Sequence, residues 1–328
     1  MTLFAHIGFS RASSTLFQTD VISRFDMEVA SPAFQDRDLI DFINTKIIMR
    51  GRNSLFEPLT EEEVSEFNNM RQSEKTFISN EGLIGDAFDN MLPLMYNVAL
   101  LKQLDSDLKL ILFIRSQYKI LNSYYNYAVG EGYHKSVETF LNYKNKKFGD
   151  FQLLRNKGVN VSINSLNYYL LLKNLEKLVG HENVLMLPVE LLHDRPADFI
   201  GRIEAFCGSK FDSNRFEIKV RNNGYNKIQI ITLRLLNKVI DTKLFGISIF
   251  PKYNKRLVLP FLPSKFYIIE RIINKILNRR ILVQPLGMFS AKSYSMRNVL
   301  KQEVKETFKV YNEELSKELG FDLARYDY

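Results

Sequence analysis

The stretch Leu3-Phe4-Ala5-His6-Ile7-Gly8-Phe9-Ser10-Arg11-Ala12-Ser13-Ser14-Thr15-Leu16-Phe17-Gln18 decides how the rest of the chain is read. Leu3–Gly8 is a short apolar run of the kind that forms a buried strand. Helical spacing begins at Ser14 and continues to Met27, and a hydroxyl-rich loop lies between the two. A strand, such a loop and a helix start place free backbone N–H groups and the hydroxyls of Ser13, Ser14 and Thr15 around one point, which suits a phosphate or a sulfate. Arg11 adds a cation there. No Gly-Lys pair follows Gly8, so this is not a Walker A loop. The same residues also read as a plain N-cap, with Ser13 or Ser14 satisfying the first amides of a structural helix.

Three more apolar runs read as strands: Lys75–Ser79, Lys109–Ile114 and Asn183–Leu187. Helical spacing marks Glu61–Met70, Asp86–Leu104, Tyr118–Val129, Ile163–Val179, Pro196–Phe206 and Asn298–Leu319. Strands that alternate with helices predict an α/β fold, a single domain over residues 1–328 with a central parallel sheet flanked by helices. A basic elaboration is expected at about 226–287. Within it, Ser264–Leu282 places Phe266, Ile269, Ile273, Ile276 and Leu277 near one face, the pattern of a basic amphipathic helix on a membrane surface or of a surface helix packed on the domain.

The fourth strand supplies a second candidate anion site. Arg115 ends Lys109–Ile114, where α/β proteins gather ligands, and Ser123 follows two helical turns later, near enough to share a phosphate with it. An arginine capping the sheet edge beside a solvated serine is the alternative.

Composition excludes several classes. Among 328 residues, 45% hydrophobic and 25% charged is the make-up of a folded globular chain, not a disordered tail or fibre. One cysteine, Cys207, excludes an intramolecular disulfide and a Cys-based zinc cluster, and four scattered histidines make a dedicated histidine metal site unexpected. Met1–Phe9 lacks a secretory pattern, and no run reaches the roughly 18 apolar residues of a membrane span. A cytoplasmic location is expected, with peripheral contact at the inner membrane face as the other option. The net charge is +8, yet Arg221 to Lys301 holds 16 Lys/Arg against Asp241 and Glu270, leaving 29 basic and 35 acidic residues elsewhere. That segment favours an anionic partner such as an acidic glycan or an anionic membrane contacted through 221–301. Nucleic acid is not expected, since zinc-finger, RNP-like and basic-zipper patterns are missing.

The first stretch resembles the 5′-phosphosulfate loop of PAPS-dependent sulfotransferases, in which a strand leads into Lys or Arg, small residues and a Ser/Thr pair. Bacterial members often read His-Ile-Gly, two residues, Lys-Thr-Gly-Thr-Thr and then Leu-Gln. This chain keeps His6-Ile7-Gly8, Ser14-Thr15 and Gln18 and departs at Arg11 and Ser13; arginine stands at that place in carbohydrate members. Arg115 and Ser123, in the setting Arg-Ser-Gln-Tyr and Ser-Tyr-Tyr, look like the family's 3′-phosphate pair. Ile78–Leu83 resembles its Ser-Glu-Gly-Leu segment, and Asn183–Glu190 with Phe206-Cys207-Gly208 its late strand and helix end. Asn312–Lys317 is similar to heparan-type members, and Lys292-Ser293-Tyr294 to their basic loop. The resemblance spans about residues 3–224 and 288–320 and leaves Asn226–Gly287 without a counterpart.

The resemblance implies sulfuryl transfer from PAPS, without a metal, to a carbohydrate hydroxyl on a cell-surface or lipid-linked glycan. It assigns Arg11, Ala12, Ser13, Ser14 and Thr15 to the 5′-phosphosulfate, Arg115 and Ser123 to the 3′-phosphate, and Lys292 to the donor as well. Arg11 would also stabilise charge on the sulfuryl group, and Glu81 would be the base. Glu81 could instead order its loop or hold the acceptor. His6 is expected to be a hydrogen-bonded core residue, Glu190 to close a structural hydrogen bond, and His134 to stand near the acceptor. The other readings are a non-catalytic nucleotide- or glycan-binding protein of the same fold and a kinase with a P-loop-like site.

Overall fold

In β1 (Thr2–Gly8), Leu3, Phe4, Ala5 and Ile7 are all buried, the near-continuous burial of a central parallel strand covered on both faces. The computed structural model describes residues 1–9, 11–12, 14–32, 37–50, 57–85, 92–149, 162–213, 224–240, 283–289 and 293–328. The predicted helix at Ser264–Leu282 therefore lies outside the described residues.

With β2 (Glu28–Ala30), β3 (Lys75–Ser79), β4 (Lys109–Ile114) and, after a small antiparallel hairpin of β5 (Tyr143–Lys144) and β6 (Lys147–Phe148), β7 (Val184–Pro188), the strands form a five-stranded parallel sheet. Its order is β2-β3-β1-β4-β7. The expected single α/β domain with a central parallel sheet is what the chain forms. The connection from β1 runs toward β2 and β3, whereas that from β4 runs toward β7. Connections that diverge in this way open a crevice at the carboxyl ends of the two strands, the usual ligand position of an open α/β sheet.

The helices are α1 (Ser14–Leu16, continued by π turns over Phe17–Val21 and a 3-10 turn over Ile22–Arg24), α2 (Arg37–Phe42), α3 (Glu61–Met70), α4 (Leu92–Leu104) and α5 (Gln117–Gly130). They continue with α6 (Val137–Phe140), α7 (Tyr168–Val179), α8 (Val189–Asp194), α9 (Pro196–Cys207), α10 (Lys227–Ile240) and α11 (Asn298–Leu319). One face of the sheet is an aromatic layer. Phe17 beyond α1 and Phe199 of α9 both pack on Phe113 of β4, and Phe206 packs on Phe4.

Three expectations need correction. The helix predicted over Ser14–Met27 stops at Arg24, because Phe25 turns extended to bridge to Phe211 while the Asp212 N–H donates to the Arg24 carbonyl. The helix predicted over Ile163–Val179 is broken at Asn167, whose side chain accepts from the Leu170 N–H and starts α7. The last strand begins at Val184, since His181–Asn183 forms a 3-10 turn after Gly180. Strand β2, three residues long at the sheet edge, was not legible from alternation.

Two buried titratable groups set the acid sensitivity of this fold. Burial pushes His6 down from 6.5 to about 3, so the unfolded chain takes up a proton that the folded chain refuses. Burial would raise Glu63, but the Thr60 N–H and the side chains of Arg50 and Lys46 outweigh it and hold the carboxyl at about 2, below its ordinary 4.5. Both contributions are complete above pH 6.5. The first is lost as pH falls from 6.5 toward 3, the second from 4.5 toward 2. Urea unfolding as a function of pH should show stability declining from 6.5 and more steeply below 4.5. Glu63→Gln should cost about 2 kcal/mol at pH 7 and reduce the steeper part, to which Asp327, held against burial at about 2 by Lys301 and Lys305, also contributes.

Candidate functional site

The loop after β1 is held by its own backbone. The Ala12 N–H donates to the Phe9 carbonyl at 3.0 Å, and the Ser14 hydroxyl donates to the same oxygen at 3.2 Å. Close packing below the loop requires Gly8, since a Cβ there would lie 2.5 Å from Ser14 Oγ and 2.9 Å from the His6 ring. Arg11 takes φ +74°, a left-handed conformation that glycine adopts freely and arginine does not. The rest of the structure therefore has to hold Arg11 in place.

Two contacts do so. Arg115, directly after β4, donates from Nη1 to the Arg11 carbonyl at 2.8 Å, which joins the two strand ends across the crevice. The Arg11 guanidinium lies over the Tyr127 ring, 4.4 Å from its centre. Tyr127 is one turn beyond Ser123 on α5, so Ser123 and the Arg11 side chain share one helix face. Burial raises the Tyr225 phenol, and the Arg11 charge opposes the rise.

Arg115 is fixed from behind as well. The Tyr168 phenol donates to its carbonyl at 2.8 Å and stays protonated, because burial, Glu190 and Tyr124 all push it well above its ordinary value. Glu190 accepts from the Ser116 N–H at 3.3 Å and the Tyr328 phenol at 3.2 Å and stands 3.5 Å from Lys119. Glu190 thus closes structural hydrogen bonds, as its position in the sequence implied.

The other sequence-predicted residues fall as follows. Ala12 and Ser14 are buried in the loop, with the Ser14 hydroxyl proton committed to Phe9, while Thr15 is exposed. Ser13 and Lys292 lie outside the described residues. Ser293, next to Lys292, bridges to Asn226, and the Tyr294 N–H donates to the Tyr225 carbonyl at 2.6 Å. Asn122 of α5 holds this strip by bonds to the Tyr294 carbonyl and the Met296 N–H. Glu81 opens the 3-10 turn Glu81–Ile84 after β3, a turn that packs beside β1. Asn80 caps that turn through the Gly82 N–H and bonds Asn44.

His6 is the core residue expected. Its Nδ1 is 2.8 Å from Ser79 Oγ, and Gln18 donates to both the hydroxyl and the carbonyl of Ser79, tying β3 to the loop helix. His134 offers its carbonyl to Arg234. Burial pushes the Cys207 thiol up to about 12, so it is inert near neutral pH. Glu176, His181 and Glu318 gather far along the chain, but the Lys173 ammonium sits among them, 3.0 Å from Glu176 and 2.7 Å from Glu318. Tyr127, Tyr225 and Asn122 were missed in the sequence. Only Tyr127, four residues after Ser123, left a signal there.

Among solved structures, a sulfotransferase from Alicyclobacillus acidocaldarius matches 99% of this chain and 98% of its own length, with 12% identity and a TM-score of 0.52. The chain has the sulfotransferase fold. A mouse sulfotransferase complexed with PAP aligns over 88% of this chain and 86% of its own, with 10% identity and a TM-score of 0.30. No family model and no curated protein matches the chain.

The left-handed residue yields a test of the loop. Arg11→Gly should be more stable than Arg11→Ala by about 1 kcal/mol in urea unfolding, because both lose the contact with Tyr127 and only glycine relieves the strain at φ +74°.

Proposed function

We propose that this protein is a sulfotransferase that moves the sulfuryl group of PAPS to a hydroxyl of a carbohydrate acceptor. The observation that carries the proposal is the link from Arg115 to the Arg11 carbonyl, which sets two arginines and a tight backbone loop at the crevice between β1 and β4. A donor with phosphate groups at two places on its ribose needs two such cationic centres at a fixed separation. The fold likeness and the sequence resemblance agree with that donor set.

Sulfuryl transfer moves a group almost in line between an attacking and a leaving oxygen, so the protein contributes positioning and charge. The amides of the loop and of the first turn of α1, with Thr15, bind the 5′ end of the donor. Arg11 neutralises charge that develops on the sulfuryl and bridging oxygens. Arg115 and Ser123 hold the 3′-phosphate, and Lys292 adds a charge for the donor. Glu81, on the β3 side of the crevice, accepts the proton of the acceptor hydroxyl. No step calls on a metal. The reaction takes place in the cytoplasm or at the inner membrane face, where a lipid-linked glycan is within reach.

Calorimetry with 3′-phosphoadenosine 5′-phosphate, and ATP as control, tests the donor site. Wild type should prefer the 3′-phosphorylated nucleotide, and Arg115→Ala should weaken it about 100-fold; equal affinity for ATP, or no effect of the substitution, sinks the proposal. Glu81→Gln should leave donor affinity unchanged while lowering kcat on a glycan acceptor by about 100-fold or more. Single-turnover assays with labelled PAPS read the two effects separately.

A further inference from the structure

Helix α10 turns its amides inward and its aliphatics outward. The buried side holds Asn226 just before the helix, then Gln229, Ile230, Leu233 and Asn237. The outer side holds Ile228, Ile231 and Leu235, which are 42%, 46% and 61% exposed, with the exposed Lys227 and Lys238 beside them. Spacings of three and four residues put the three aliphatics in one stripe.

This rotation is fixed by hydrogen bonds. Asn226 and Gln229 bond each other's backbone N–H, at 2.8 and 2.9 Å, and donate from their amides to the carbonyls of Leu286 and Val283. Asn237 donates to the Val129 carbonyl at the end of α5 and to the Tyr133 carbonyl, at 2.8 and 3.0 Å. Arg234 donates to the His134 carbonyl. Single exposed aliphatics are ordinary, but a stripe of them on a helix that buries amides is unfavourable unless the outer face has a destination.

Charge selects the destination. Helix α10 contains no acid, and Arg221 to Lys301 carries 16 basic residues against two acidic ones. A second copy would bring its own Lys227 and Lys238 against these, and like charge opposes that contact. An anionic bilayer takes aliphatics into the headgroup–acyl boundary and lysines onto its phosphates. We propose that the outer face of α10 docks on an anionic membrane surface through Ile228, Ile231 and Leu235, with Lys227 and Lys238 on lipid headgroups.

One consequence, unlike the docking itself, rests on the sulfuryl-transfer reading. Tyr225, which feels the Arg11 charge, precedes α10 by two residues, and α10 is about 20 Å long, so docking would hold the donor loop near the bilayer and favour a lipid-linked acceptor.

Co-sedimentation of the full chain with phosphatidylcholine vesicles, with and without about 30% phosphatidylglycerol, decides the matter. Wild type should pellet with the anionic vesicles, and added salt should weaken binding. The triple variant Ile228→Ser, Ile231→Ser, Leu235→Ser should bind at least about tenfold more weakly with unchanged circular dichroism. Lys227→Glu, which leaves the stripe intact, should also weaken anionic-vesicle binding and decides the question if the triple variant misfolds. Equal binding to neutral vesicles, or binding unaffected by either variant, overturns the proposal. Absence of vesicle binding overturns it too. In that case, a dimer lost in the triple variant by sedimentation velocity assigns the stripe to a second copy, and a lowered melting temperature assigns it to this chain's own residues. Nucleotide calorimetry on the same samples reads donor binding independently, so failure of docking and failure of the sulfotransferase reading are distinguishable.

Discussion

The hydrogen bond from Arg115 Nη1 to the Arg11 carbonyl is the contact on which the candidate site depends. It closes the gap where the connections after β1 and β4 part, so a loop and a helix start that diverge in the sequence face one another in space. It also compensates a strained residue, since Arg11 sits in a left-handed conformation that its own side chain disfavours. The bond holds only if Arg115 itself is fixed, and the layer behind it does that. Tyr168 takes the Arg115 carbonyl, Glu190 the next N–H, and the Asp327 carbonyl the Ser116 hydroxyl. The last residues of the chain thus brace its fourth strand, and Lys119 adds a bond to the Tyr326 carbonyl.

A second network ties the β3 side of the crevice to the same loop. His6 stands on a central strand, where a polar ring is costly unless bonded and neutral. Its neighbours meet them in part: Phe17 and Phe113 exclude water and keep the ring neutral, and Ser79 bonds Nδ1 while the buried Nε2 has no partner among the described residues. Gln18 takes the remaining capacity of Ser79, so the carboxyl end of β3 and the turn that begins with Glu81 move with β1 and α1. Buried polar links of this kind specify one arrangement where apolar packing alone would tolerate several.

The elements laid over α5 follow a different rule. Asn122 and Tyr118 hold the strip Tyr294–Met296, and Asn237 holds α10, by hydrogen bonds to backbone atoms. Gln117 and Asn312 pair through their side-chain amides between α5 and α11. Side-chain amides therefore orient what the sheet does not cover, and this leaves the aliphatic face of α10 turned away from the domain.

By itself the sequence determined the α/β class and four of the five strands of the sheet, and it named candidates for the site. The strands Lys75–Ser79 and Lys109–Ile114 and the helices Glu61–Met70 and Asn298–Leu319 were legible to the residue, because apolar periodicity is a local property that survives in a linear string. Arg11, Glu81 and Arg115 were legible as candidates because each directly follows a recognisable strand. Tertiary structure alone decided that Arg115 grips the backbone of Arg11, that the Arg11 guanidinium lies over Tyr127, that the Ser14 hydroxyl turns inward and that α10 faces outward. The two Arg11 contacts and the Asn237 bonds depend on partners more than 100 residues away in the chain, and the inward Ser14 on how its own loop folds. That a segment forms a strand is a matter of local preference, whereas the order of the strands and the site between them are made where distant segments meet.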